Sequence, residues 1–159
     1  MILLEETLDA PGDAREVLRY IADFTHLPSW DPSVERVSRL DSEEALVVGA
    51  RFLVSLKSLG RTIDVDYRLA ELSDCVATLV GRSAGVSAID LIRVAQVGSR
   101  VDIKYRAEIS LLGLLRPAEP LMRGRIQAGG KAAIQNLSSV LRHRAGARRS
   151  AEAVPVAVG

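Results

Sequence analysis

The chain has 159 residues, 48% of them hydrophobic, a size usual for one domain with a sizeable core. Lys and Arg number 21 against 20 for Asp and Glu, a net charge of +1 that lacks the basic excess of a nucleic-acid-binding protein. No apolar run reaches the roughly 18 residues that span a bilayer, and the start Met1–Glu6 has neither the basic region nor the long apolar stretch of a signal peptide, so a cytoplasmic protein without a transmembrane segment is expected.

Residues 2–8 read as a first strand that ends at the turn signal Pro11-Gly12. Asp13 and Glu16 then have capping-box spacing, and Val17, Ile21 and Phe24 form one apolar stripe on a short helix. Pro28 and Pro32 bracket a second short helical turn around Trp30. From about residue 33 to 110 the period becomes two. Phe52, Val54 and Leu56 alternate with Arg51, Leu53 and Ser55; Ile63, Val65, Tyr67 and Leu69 alternate with polar residues; Val101, Ile103, Tyr105, Ala107 and Ile109 do the same. Turns fit Leu59-Gly60-Arg61, Ser73-Asp74, Arg82 to Gly85 and Gly98-Ser99. Such closely spaced strands predict an antiparallel meander of about seven strands with one face covered.

From Pro117 to about Arg144 the spacing is helical: Met122, Ile126, Gly129, Ala133, Leu137 and Val140. Pro117 suits a first helical turn, and Arg142 and Arg144 suit the negative end of the helix dipole. Residues 145–159 have no usable period and are expected to form a disordered tail, leaving 1–144 as one domain. Ala128, Gly129, Gly130, Ala132 and Ala133 crowd small residues into the helix, and a helical glycine costs about 1 kcal/mol relative to alanine. Close packing on the sheet and room for a ligand both explain them.

The stretch Val17-Leu-Arg-Tyr-Ile-Ala-Asp-Phe-Thr-His-Leu-Pro-Ser-Trp-Asp-Pro32 resembles the N-terminal signature of the polyketide cyclase/dehydrase family within the START-like (SRPBCC) superfamily. Gly49-Ala-Arg-Phe52, Arg100-Val-Asp-Ile-Lys-Tyr-Arg-Ala-Glu108 and Leu112-Gly113 are similar to later segments of that family, so the resemblance covers roughly residues 2–144. It implies an α+β helix-grip fold, in which a curved sheet wraps a long C-terminal helix around a cavity. It also implies a small hydrophobic ligand of polyketide, lipid or aromatic type. The family includes aromatic cyclases and hydrophobic-ligand carriers, so the fold does not choose between them. Carriage without chemistry is the leading expectation; an aldol-type cyclase or dehydratase without metal is the alternative. A protein-interaction domain or a quinone-binding chaperone comes third. No cofactor is expected, and a homodimer is compatible with the sequence.

The expected ligand contacts are Trp30, Phe52, Val54, Ile63, Val65, Tyr67, Asp90 and Tyr105 with Met122, Ile126, Gly129 and Ala133 from the helix, each also readable as plain core. Trp30 fits either a lid or a structural plug. Asp90, Tyr67 and Tyr105 are the candidates for catalysis. Asp90 shares parity with Val86, Ala88, Ile92 and Val94 and would then point inward, where a carboxyl has a raised pKa. The opposite parity, with Ile89 and Leu91 inward, is nearly as apolar and places Asp90 in solvent. Asp64, Asp66, Arg68, Lys104, Arg106 and Glu108 read as a solvated charge ladder, and Arg142 to Arg149 as helix-dipole complement or a phosphate or membrane contact. Aromatic residues make up only 4% of the chain, few for a pocket gripping a planar polycycle. Cys75 has no histidine near it in sequence and reads as a packing residue. One cysteine and two histidines predict no metal site.

Overall fold

A computed structural model describes residues 1–41 and 45–153. Strand β1 (Ile2–Pro11) leads into helix α1 (Ala14–Ala22) and a 3-10 helix (Phe24–Ser29). Six strands follow: β2 (Val34–Arg39), β3 (Arg51–Ser58), β4 (Arg61–Leu72), β5 (Val76–Arg82), β6 (Val86–Val97) and β7 (Arg100–Leu111). A second 3-10 helix (Gly113–Ala118) joins them to the long helix α2 (Glu119–Glu152). The strands form one antiparallel sheet in the order β1-β7-β6-β5-β4-β3-β2. This is the helix-grip architecture expected from the sequence, a meander closed by placing the first strand beside the last.

Period-two patterning becomes packing here. The inward face carries Phe52 and Val54 from β3, Val65 and Leu69 from β4, Ala77 and Leu79 from β5, and Ile92 and Val94 from β6, all buried. The outward face carries the charges, including the Arg51–Asp66 and Arg106–Glu108 ion pairs. Asp13 caps α1 by accepting the Glu16 amide hydrogen at 3.1 Å. The Glu16 carboxylate is engaged by Arg148 rather than by the cap.

Several elements differ in extent from the sequence reading. β1 runs to Pro11 because it stays paired with β7 as far as Arg100. Pro117 lies in the 3-10 helix, and Pro120 takes the first turn of α2. α2 continues to Glu152, eight residues past Arg144, so residues 145–152 are helical and not a disordered tail. Long-range contacts hold this end: the Arg144 guanidinium lies 3.9 Å above the Tyr20 ring, and Arg148 pairs with Glu16. The rest of the expected tail, 154–159, lies outside the described residues. Cys75 is exposed in the turn between β4 and β5, not packed.

α2 lies along β1. Its buried residues are Ala133, Ile134, Leu137 and Leu141, all in the second half of the helix. The first half meets β1 at Gly130, where a Cβ would sit 2.4 Å from Leu4 Cδ2, and through Gln127, which donates to the Leu3 carbonyl at 3.0 Å.

Candidate functional site

The inward parity of β6 is the one that includes Asp90. Asp90 is 7% exposed and faces the interior with Ala88, Ile92 and Val94, while Ile89 and Arg93 face solvent. Its cross-strand partners are Leu79 on β5 and Ala107 on β7. One step along the inward face of β7, the Tyr105 hydroxyl donates to Asp90 Oδ1 at 2.8 Å inside the core. Oδ2 has no hydrogen-bond partner among the described residues. Burial pushes the Asp90 carboxyl from 3.8 up to about 6, against the pull of Tyr105 and Tyr67, and repulsion from Asp31 adds to the rise. The Tyr67 hydroxyl also favours the ionised carboxyl as a donor, and among the described residues Tyr105 makes the hydrogen bond of ordinary geometry.

Tyr67 reaches this position because its partner on β5 is Gly81, where a Cβ would lie 2.6 Å from the ring. Only glycine lets the ring lie flat over the neighbouring strand. Phe24 packs edge-on against the same ring, centroid to centroid 5.0 Å. Burial and the nearby Asp90 raise the pKa of both tyrosines well above 10, so both hydroxyls keep their protons at neutral pH.

Trp30 closes the cluster from the end of the 3-10 helix. Its ring meets Tyr105 edge-to-face at 6.1 Å, and its Nε1 is buried with no hydrogen-bond partner among the described residues. Asp31, next in the chain, accepts from the Ser33 amide at 2.9 Å and the Ser33 hydroxyl at 2.7 Å. Burial nonetheless raises its pKa. The interior thus joins the Asp90 carboxyl, two neutral tyrosine hydroxyls and an indole N–H, with the half-buried Asp31 carboxyl next in the chain to Trp30. A buried polar atom left unpaired costs about 1–3 kcal/mol, so Trp30 Nε1 and Asp90 Oδ2 together demand an explanation.

The sequence candidates fall into three groups. Trp30, Phe52, Val54, Val65, Asp90 and Tyr105 are buried on or over the inward face, and Ile63 and Tyr67 are half-buried there. From α2, Ala133 is buried and Met122 and Ile126 are half-buried. Gly129 is exposed with nothing within 4 Å of a Cβ built on it, and Gly130 is the glycine that faces the protein. Sequence reasoning misses Asp31, Ser33 and Gly81. Asp31 stands beside Trp30 in the quoted signature, a usable signal; Gly81 gives none, because its role depends on strand register.

Two open surface depressions lie elsewhere, along the seam of β1 and α2. One of about 340 Å³ is lined by Glu6, Asp9, Lys131 and Gln135 among others, and a neighbour of about 310 Å³ by Glu5, Gln127 and Lys131. None of the expected ligand contacts lines either one. These charged grooves are readily solvated and need no ligand to explain them, whereas the unpaired interior atoms do. The candidate site is therefore the interior cluster. Among the described residues no group of His, Cys, Asp and Glu could hold a metal ion.

Comparison with known proteins bears on this geometry. No curated protein matches the chain in sequence. Among solved structures, a START superfamily protein from Mycobacterium smegmatis superposes with a TM-score of 0.71 at 8% identity, covering 89% of this chain and 97% of that one. The Zhui aromatase/cyclase from Streptomyces sp. R1128 superposes with a TM-score of 0.70 at 13% identity, covering 87% and 92%. The di-domain aromatase/cyclase StfQ of the steffimycin biosynthetic pathway gives 0.68 at 13% identity, covering 91% of this chain but 52% of its own, so this chain spans about half of it. At these identities the likeness is one of fold. Among the described residues no helix is long and apolar enough to cross a membrane. A sequence profile described as polyketide cyclase / dehydrase and lipid transport matches residues 1–142, and the chain belongs to that family.

Proposed function

We propose that the protein binds a small hydrophobic molecule carrying a carbonyl or hydroxyl group, held between the sheet and α2 against Trp30, Asp90 and Tyr105. The observation that carries this reading is the pair of buried, unpaired polar atoms: Trp30 Nε1 can only donate, and Asp90 Oδ2 accepts when ionised or donates when protonated. A ligand oxygen meeting either atom relieves its unpaired state. The apolar surroundings, Phe52, Val54, Val65 and Ile92, suit a hydrophobic body. The residues paired with or beside Asp90 on the inward face include the small Ala88 and Ala107, which take up little of the volume over the sheet. The family description and the aromatase/cyclase neighbours support the same ligand class.

The test is native mass spectrometry of the protein purified from its own host, with identification of any released molecule, followed by thermal shifts with polyketides, lipids and quinones. A co-purifying hydrophobic ligand whose binding weakens in Trp30→Phe supports the reading. An empty protein that shifts with no member of the panel overturns it.

A second reading, cyclase or dehydratase, is favoured by one observation: an Asp90 pKa of about 6 lets the group take and return a proton near neutral pH. In that reading ionised Asp90 removes a proton from the carbon beside a substrate carbonyl that Trp30 Nε1 polarises. The enolate attacks a second carbonyl, forming a carbon–carbon bond, and Asp90 returns the proton to the new alkoxide. Dehydration then removes a further proton from carbon and expels the hydroxyl as water. Tyr105 holds the carboxyl in place through Oδ1. Asp90→Asn that retains ligand binding but loses conversion of a poly-β-ketone supports this reading; unchanged conversion rules it out.

A further inference from the structure

From Ile109 to Ala151 the sequence holds one acidic residue, Glu119, against eight Lys and Arg, although the whole chain is nearly neutral at +1. Glu119 is itself engaged, accepting from the N-terminal ammonium and from the Leu111 amide. The positive charge is thus segregated onto the end of β7, the second 3-10 helix and α2. At the start of this region the chain also exposes large apolar side chains. Gly113 takes a φ of +54°, which turns the chain sharply out of β7. The 3-10 helix that follows buries none of its residues. Leu114 is 99% exposed and Leu121, in the first turn of α2, is 86% exposed. Exposed Leu112 and Leu115 adjoin them, and Met1 is tied to the same place by its bonds to Glu119 and Arg123. Arg116, Arg123 and Arg125 flank the leucines and are exposed. Arg116 and Arg125 have no carboxylate partner among the described residues.

We infer that this tip, Leu112–Arg125, docks on an anionic phospholipid surface, with Leu114 and Leu121 entering the acyl boundary and Arg116, Arg123 and Arg125 meeting the head groups. Two independent features carry this. Clustered leucines at a chain reversal are unusual on a soluble surface and mark a contact site. A basic collar whose one acid, Glu119, is already engaged complements negative lipid, each arginine near such a surface strengthening binding about fivefold. The shape selects the occupant. Leu114 stands almost wholly clear of the protein. A folded partner would have to bring a pocket of its own to receive it, whereas a fluid bilayer opens around it.

The test uses the full chain and extruded vesicles of phosphatidylglycerol mixed with phosphatidylcholine, with vesicles of phosphatidylcholine alone as reference, read by co-sedimentation. The wild type is expected to sediment with the anionic vesicles and to be released by added salt. Leu114→Asp/Leu121→Asp should lose binding tenfold or more, and Arg116→Glu/Arg125→Glu comparably, with thermal midpoints unchanged because these side chains are exposed. A folded wild type that leaves anionic vesicles unbound overturns the inference, as does binding that survives the leucine substitutions. Self-association in sedimentation velocity that Leu114→Asp/Leu121→Asp abolishes, without vesicle binding, places a second copy on the tip and overturns it equally.

Discussion

At the scale of single residues, Asp90 dominates the chemistry of the interior. Its pKa when folded, about 6, lies above the ordinary 3.8, so the folded state keeps a proton that the unfolded chain has already lost. Stability therefore falls as pH rises from about 4 to about 6 and is level above that, a loss of roughly 3 kcal/mol for this one group. Asp31 also has a raised pKa and adds a slope of the same sign, so the wild-type curve alone does not isolate Asp90. Asp90→Asn does. The amide keeps an acceptor for Tyr105 and never ionises, although its NH2 stays unpaired. The variant should be nearly equal to wild type below about pH 4, where the protonated carboxyl leaves a comparable donor unpaired, and about 3 kcal/mol more stable above about pH 7. Urea denaturation across pH checks this; two parallel curves would show that Asp90 titrates as it does in the unfolded chain.

At the scale of elements, the two adjacent glycines of α2 separate helix propensity from packing. Gly129 is exposed, and a Cβ there meets nothing, so Gly129→Ala should stabilise by about 1 kcal/mol. Gly130→Ala gains the same propensity but drives its Cβ into Leu4. The side chain must rotate or the helix must lift, at about 1–3 kcal/mol, so that variant should be neutral or destabilised. Equal stabilisation of both in urea would mean that α2 does not seat on β1 at this point. The same pair shows where sequence reading stops. The strands are legible because alternation reports one buried face; Val101, Ile103 and Tyr105 are buried as their spacing requires. The parity of β6 is open in the sequence because Ile89 and Leu91 are as apolar as Ala88 and Ile92, and cross-strand packing chooses. Helical spacing in α2 puts Gly129 with Met122 and Ile126, but with small residues on both sides of 128–133 no face stands out. The last turns of α2 are invisible because Arg148 and Glu16, 132 positions apart, hold them rather than any local period.

At the scale of the whole molecule, stability is unevenly distributed. β6 and β7 each pair on both sides, and β1 closes the meander by pairing along ten positions with β7. The second half of α2 buries Ala133, Ile134, Leu137 and Leu141 into this frame. Its first half buries no residue fully and is held by side-chain bonds from Gln127 to the β1 backbone and from Arg123 to the Met1 carbonyl, by the Glu119 contact with the N-terminus, and by Gly130 against Leu4. Opening that half exposes little apolar surface, so it should occur at a much lower free energy than global unfolding. Hydrogen exchange read by mass spectrometry should show amides of 119–132 exchanging well before those of 133–141, and both before β6 and β7. If the proposed ligand lies against this half-helix as well as the sheet, its binding should slow the exchange of 119–132 selectively. If α2 exchanges as one unit together with the sheet, the helix is a fixed wall. A ligand would then have to reach Asp90 past Trp30, which would make the indole a gate rather than a plug.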